Sequence, residues 1–179
     1  MASPLILRSA LDDRPVSAEL RRFLEELAAM SGKLRVEFVP GVPDSDLPWI
    51  RTYREDGAYT GLAFHGVPGG HEFNAFAVGL YNAAGPGQAL DDAVLARIRA
   101  IRRPVSMKIL VSLSCAKCPE LVMAAQRIAA ENPQIGAEIY DLNHFPGLRK
   151  QYEVMSVPCL IMDTGAISFG KKNIQQVLE

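Results

Sequence analysis

The sequence predicts an α/β chain built from two copies of one unit, and three observations carry that expectation. Short runs of alternating apolar residues mark strands, and apolar residues spaced three and four apart mark helices; the two recur in the same order in each half. A shift of 104 positions lays Pro15 on Pro119, Gly32 on Gly136, and the strand residues Leu5 and Leu7 on Ile109 and Val111. At 179 residues the chain also has room for two units of roughly 80 to 100 residues.

The elements of the first half follow in order. Leu5 to Leu7 predicts a short strand, and Ser17 to Met30 a helix with Leu20, Phe23, Leu24 and Leu27 on one face, ended by Gly32. Leu34, Val36 and Phe38 alternate with Arg35 and Glu37 as a half-buried strand. Trp49 to Arg54 and Ala58 to Phe64 flank Asp56-Gly57 as a hairpin, and a closing helix carries Phe73, Phe76, Ala77 and Leu80. A linker, Ala83 to Gln88, leads to a bridging helix, Asp91 to Arg102, with Val94, Leu95, Ile98 and Ile101 on one face.

The second half repeats the order. Val105 to Leu113 alternates as a strand, and Cys118 to Glu131 forms a helix stopped by Asn132-Pro133. Ile135 to Tyr140 is a strand and Phe145 to Tyr152 a short helix. Val157 to Met162 and Ala166 to Phe169 pair across Asp163-Thr164-Gly165, and Asn173 to Leu178 closes the chain. The expected organisation is therefore a first unit over residues 1–84, a linker and bridging helix over 85–104, and a second unit over 105–179. A prolyl residue precedes the first hairpin strand in each half, Pro48 and Pro158. Together these features describe two fused thioredoxin-like units, each with α/β/α layers.

Composition narrows the function. Hydrophobic residues make up 49% of the chain and charged ones 22%, which supports a buried core and excludes intrinsic disorder. With 19 Lys+Arg against 20 Asp+Glu there is no basic excess to track a phosphate backbone or an anionic bilayer surface, so neither nucleic acid nor membrane is an expected partner. The longest apolar runs are four or five residues, far short of the ~18 to 20 that cross a bilayer. No secretory signal precedes Leu5, and the expected location is cytoplasmic.

Three cysteines are too few for a disulfide scaffold, and Cys115-Ala116-Lys117-Cys118 forms a C-x-x-C between the predicted strand and helix. A sulfur beside a helix N-terminus meets unpaired N–H groups and the positive end of the helix dipole, which favour its thiolate. Cys115 is expected to attack and Cys118, three residues on, to resolve the mixed disulfide. Lys117 either adds a nearby cation or points to solvent. Val157-Pro158 reads as a strand start or, in a thioredoxin-like unit, as a cis bond against the cysteines that leaves the backbone of Val157 free for an extended partner. The shift of 104 places Leu11 and Arg14 where Cys115 and Cys118 stand, so only the second unit is expected to be redox-active.

The segments His65-Gly66-Val67-Pro68-Gly69-Gly70-His71-Glu72-Phe73, Leu113 to Pro119, Glu131 to Ile135 and Met155 to Pro158 resemble the N-terminal region of the flavoprotein subunit of bacterial alkyl hydroperoxide reductase. The resemblance spans about Leu5 to Leu178. It implies a dithiol-disulfide electron carrier, with a flavin-dependent disulfide reductase as donor and a peroxiredoxin as acceptor. It also implies that Glu72 reaches the cysteine pair and manages protons there, although an acid at a helix start is favoured anyway.

The sequence contains no dinucleotide fingerprint, so no cofactor beyond a Cys115–Cys118 disulfide is expected, whether the chain stands alone or belongs to a longer reductase. Cys159 reads as a buried free thiol or as a third redox sulfur, the former favoured because alternation turns it away from the face of Pro158. His65, His71 and His144 read as surface or packing residues. A zinc site from Cys115, Cys118, Cys159 and His144 is awkward for the same reason of alternation. A redox-silent or metal-binding adaptor is the alternative function.

Overall fold

Residues 1–40 and 46–179 are described by a computed structural model. In the first half β1 (Leu5–Ala10) leads to α1 (Pro15–Ala29), β2 (Leu34–Phe38), the hairpin β3 (Trp49–Arg54) and β4 (Tyr59–His65), then α2 (Glu72–Ala84). α3 (Asp92–Arg99) bridges to β5 (Val105–Val111), α4 (Cys118–Glu131) and β6 (Ile135–Asp141). α5 (Pro146–Gln151), β7 (Cys159–Met162), β8 (Ile167–Phe169) and α6 (Ile174–Leu178) complete the second half.

All these strands join one sheet in the order β2-β1-β3-β4-β6-β5-β7-β8. The pairing pattern is the same in both halves. β1 lies parallel to β2 and antiparallel to β3, which turns back into β4. β5 likewise lies parallel to β6 and antiparallel to β7, which turns back into β8. Two thioredoxin-like units therefore share a sheet, joined where β4 and β6 run parallel from Leu62 opposite Ala137 to His65 opposite Tyr140. At this seam His65 is a packing residue, 1% exposed and stacked on Tyr140 at a centroid distance of 3.9 Å. Its Nδ1 donates to the Asp46 carbonyl oxygen at 2.7 Å.

Strand alternation decides what each face buries. One core runs through both halves, with Leu5 and Leu7 of β1, Leu20 and Leu24 of α1, Phe76 and Leu80 of α2, Ile98 of α3, Ile109 and Val111 of β5, and Leu121 and Ala125 of α4. Burying each such leucine or isoleucine contributes on the order of 2 kcal/mol. The opposite face packs Leu110, Tyr140, Cys159 and Ile161 under Phe145 and Leu148, which brings α5 over the second unit.

Element ends follow local chemistry. α1 begins at Pro15, two residues before the expected start, because proline at the first helical position gives up an N–H that has no partner there anyway. α4 stops at Glu131 because Asn132 precedes a proline and is extended, with φ −136° and ψ 117°. The Asn132 amide then donates to the carbonyls of Ile98 at 2.7 Å and Ile101 at 3.0 Å, which holds the end of the bridging helix against α4. β7 starts at Cys159, after the proline that cannot donate to the ladder.

Candidate redox site

β5 ends at Val111, and Ser112-Leu113-Ser114 carries the chain across the top of the sheet to Cys115, whose N–H donates to the Ser112 carbonyl at 3.0 Å. Cys118 opens α4. The two sulfurs are paired as a disulfide, with Cα atoms 5.5 Å apart. Their exposure differs: Cys118 is fully buried, while Cys115 is half-buried. The Val157–Pro158 bond is cis, and the Val157 carbonyl oxygen lies 3.9 Å from Cys115 Sγ. Met155 and Ser156, just before it, are exposed.

The first unit reaches this site through its Gly-rich segment. The N–H of His71 donates to the Leu113 carbonyl at 3.0 Å, two residues before Cys115. Gly70 sits against the same carbonyl, at φ +54° and with only 2.6 Å between the oxygen and the place a Cβ would take, so no side chain fits there. Glu72 follows as the first residue of α2, which packs along α4 with the Gln126 amide donating to the Ala75 carbonyl at 2.9 Å. Glu72 is 0% exposed and neither carboxylate oxygen has a hydrogen-bond partner among the described residues. It is therefore no helix cap by hydrogen bonding. Burial first, and the nearby charge of Asp141 second, raise its carboxyl from 4.5 to about 7.

Lys117 is exposed, and its side chain has no hydrogen bond or ion pair among the described residues. Cys159 is free and buried. It belongs to the core under α5 whereas Cys118 belongs to the core under α4, so the sheet stands between them. His71 is exposed.

The thioredoxin domain family Thioredoxin_3 matches residues 105–179, the half that carries the disulfide. The NTD_N/C domain of alkylhydroperoxide reductase AhpF from Enterococcus faecalis superposes with a TM-score of 0.94 at 32% identity, over 99% of this chain and 90% of that one. The chain belongs to the AhpF family. The AhpF protein of Pseudomonas aeruginosa alkyl hydroperoxide reductase is 28% identical over 99% of this chain and 34% of that protein, so the chain spans about a third of the length of the curated AhpF relatives it matches. A protein disulfide oxidoreductase from Aeropyrum pernix shares the fold, with a TM-score of 0.85 at 22% identity. The AhpF-family relationship and the Cys115–Cys118 pair support a redox role of the thiol-disulfide class.

The parts played by two residues of this AhpF-family chain were not foreseen from sequence. Asp141 ends β6 beside Val111, is 1% exposed, and has one carboxylate oxygen without a hydrogen bond among the described residues. Burial raises its carboxyl. An acid closing the apolar run Ile139-Tyr140, on the strand next to the cysteine strand, was the available signal. Arg14, known only as the counterpart of Cys118, donates through Nη1 to the His144 carbonyl at 2.9 Å and through Nη2 to the Leu47 carbonyl. No sequence pattern announces that reach across the two units.

Proposed function

We propose that the chain is a dithiol-disulfide electron carrier that takes electrons from a flavin-dependent disulfide reductase and gives them to a peroxiredoxin. The flavin and NADH chemistry would sit with the donor, and the Cys115–Cys118 pair would be the group that is reduced and reoxidised. The observation that supports this reading most is the asymmetry of the pair: a reachable Cys115 facing the Val157 carbonyl, and a sealed Cys118 at the head of α4.

A thiolate of the reduced donor attacks Cys115 Sγ, the disulfide breaks, and Cys118 Sγ leaves with the electron pair and takes up a proton. The second donor thiol then attacks its partner sulfur in the mixed disulfide, so the donor ends as a disulfide and the carrier as a dithiol. In the forward step Cys115 thiolate attacks the acceptor disulfide while the Val157 backbone pairs with the extended acceptor segment. Cys118 gives up its proton, attacks Cys115 Sγ and releases the acceptor as a dithiol. Glu72, whose carboxyl titrates near neutrality, is the group that would accept and return the Cys118 proton.

Reconstitution tests the reading. Chain, a flavin-dependent disulfide reductase with NADH and a disulfide-form peroxiredoxin should together consume peroxide, and omission of the chain should stop NADH oxidation. Failure of the chain to reduce either the peroxiredoxin or insulin would leave the adaptor reading instead.

A further inference from the structure

Glu72 presents a transport problem. It is sealed from water and its oxygens are unpaired, yet a proton that moves on and off it at each cycle must reach solvent. The segment that delivers Glu72 also touches two ionisable side chains of β6 and the turn after it. At Gly66, a Cβ would stand 3.2 Å from Asp141 Cβ and 3.8 Å from His144 Cδ2. Four residues later Gly70 and His71 rest on Leu113, and Glu72 follows. One short stretch of backbone thus links the cysteine loop at one end with Asp141 and His144 at the other.

The two side chains are graded from interior to water. Asp141 is 1% exposed; its Oδ1 accepts from the Asn143 N–H at 3.0 Å, and its Oδ2 has no hydrogen bond but lies 3.8 Å from His144 Nε2. The His144 side chain is 33% exposed. Its turn is braced from the first unit, because Arg14 Nη1 donates to the His144 carbonyl while Arg14 Nε is paired with Asp12 at 2.9 Å. The charged groups around the path are therefore Glu72 from α2, Asp141 at the end of β6, and the Arg14–Asp12 pair from the head of α1. Asp46 lines a groove with Phe145, the residue after His144.

We propose that Asp141 and His144 are the proton outlet of Glu72, carrying a proton between the buried carboxyl and water each time the disulfide opens or closes. The inference rests on Glu72 being the proton partner of Cys118. When a dithiol reduces the chain, its two electrons break the Cys115–Cys118 bond and the dithiol becomes a disulfide. The leaving Cys118 thiolate takes its proton from Glu72, Glu72 is refilled through Asp141, and His144 draws the replacement from solvent. Reoxidation runs the same path outward. Asp141 and His144 touch no reacting atom and act through Glu72, as positioning and relay residues. His144 suits the outer place by position, with Nε2 3.8 Å from Asp141 Oδ2 and a side chain that is 33% exposed.

The test is single-turnover reduction of the oxidised chain by dithiothreitol at low buffer concentration, between about pH 6 and pH 8. Each variant is compared with the parent at the same pH, which cancels the titration of dithiothreitol itself. His144→Ala should be slower by about threefold to tenfold, with an altered pH profile, and added free imidazole should restore its rate without changing the parent. Asp141→Asn should be slowed at least as much, with melting temperature recording any loss of fold. If His144→Ala matches the parent at every pH, or is slow but indifferent to imidazole, the outlet is wrong. Glu72→Gln in the same assay separates the layers: slow Glu72→Gln beside a parental His144→Ala overturns only the outlet, whereas parental Glu72→Gln removes the reading beneath it as well.

Discussion

The two halves share their strand order, their pairing pattern and a cis prolyl bond in the same place, Leu47–Pro48 in one and Val157–Pro158 in the other. They differ at the helix start. In the second half, Cys115 Sγ stands 3.9 Å from the carbonyl that precedes the proline. In the first half, that carbonyl, Leu47, receives the guanidinium of Arg14, the residue that takes the place of Cys118. Asp12 completes the substitution by accepting from Ser17 Oγ at 2.7 Å, from the Arg14 N–H and from Arg14 Nε. The unit without sulfur has closed with its own arginine the backbone acceptor that the live unit leaves beside its disulfide. Hydrogen bonds occupy in the first half the place that the disulfide takes in the second.

The comparison can be broken most sharply at the live disulfide. Cys115→Ser should lower exchange by ~10³-fold or more, whereas Cys118→Ser should leave a mixed disulfide trapped on Cys115 that mass spectrometry locates. An adduct on Cys118 in the converse variant would reverse the roles of the two sulfurs.

Glu72→Gln comes next, with exchange slowed by about tenfold or more near neutral pH. It carries a stability signature too. The folded chain holds the Glu72 proton up to about 7 while the unfolded chain releases it near 4.5, so the parent is more stable at acid pH and loses stability as pH rises through that window. Glu72→Gln lacks that loss, and its melting temperature should gain on the parent's between those two values; a constant difference would show that the carboxyl is not held protonated.

Arg14→Ala sharpens the comparison from the other half. It removes bonds to Leu47 and His144 and should cost about 1 kcal/mol, a modest figure because the side chain is 44% exposed. Chemical denaturation measures it. Cys159→Ala should cost a similar ~1 kcal/mol through lost packing and leave exchange unchanged. Lys117→Ala, at an exposed and unpaired side chain, should alter exchange by less than about twofold.

The repeat, the element order and the cysteine pair were legible because each is written in local signals: alternation, helical spacing, and a C-x-x-C between a strand and a helix. Burial of Cys159 followed from the same alternation that sets Leu110 and Ile161 on its face. Glu72 was reached through resemblance alone, since nothing local about an acid at a helix start says that it will be sealed against the other unit. Asp141 and Arg14 escaped for the same reason: their partners lie 69 and 33 to 130 positions away, as with Glu72, Leu47 and His144. Contacts between residues so far apart in the chain have no periodicity to betray them.

The parallel pairing of β4 with β6 has a mechanical consequence. Separated at the stretch 85–104, each half would present a bare row of backbone donors and acceptors where the other had been, and would cut through a core shared by α2 and α4. The chain should therefore melt in one cooperative transition, and a fragment carrying only the disulfide half should stick edge to edge with copies of itself.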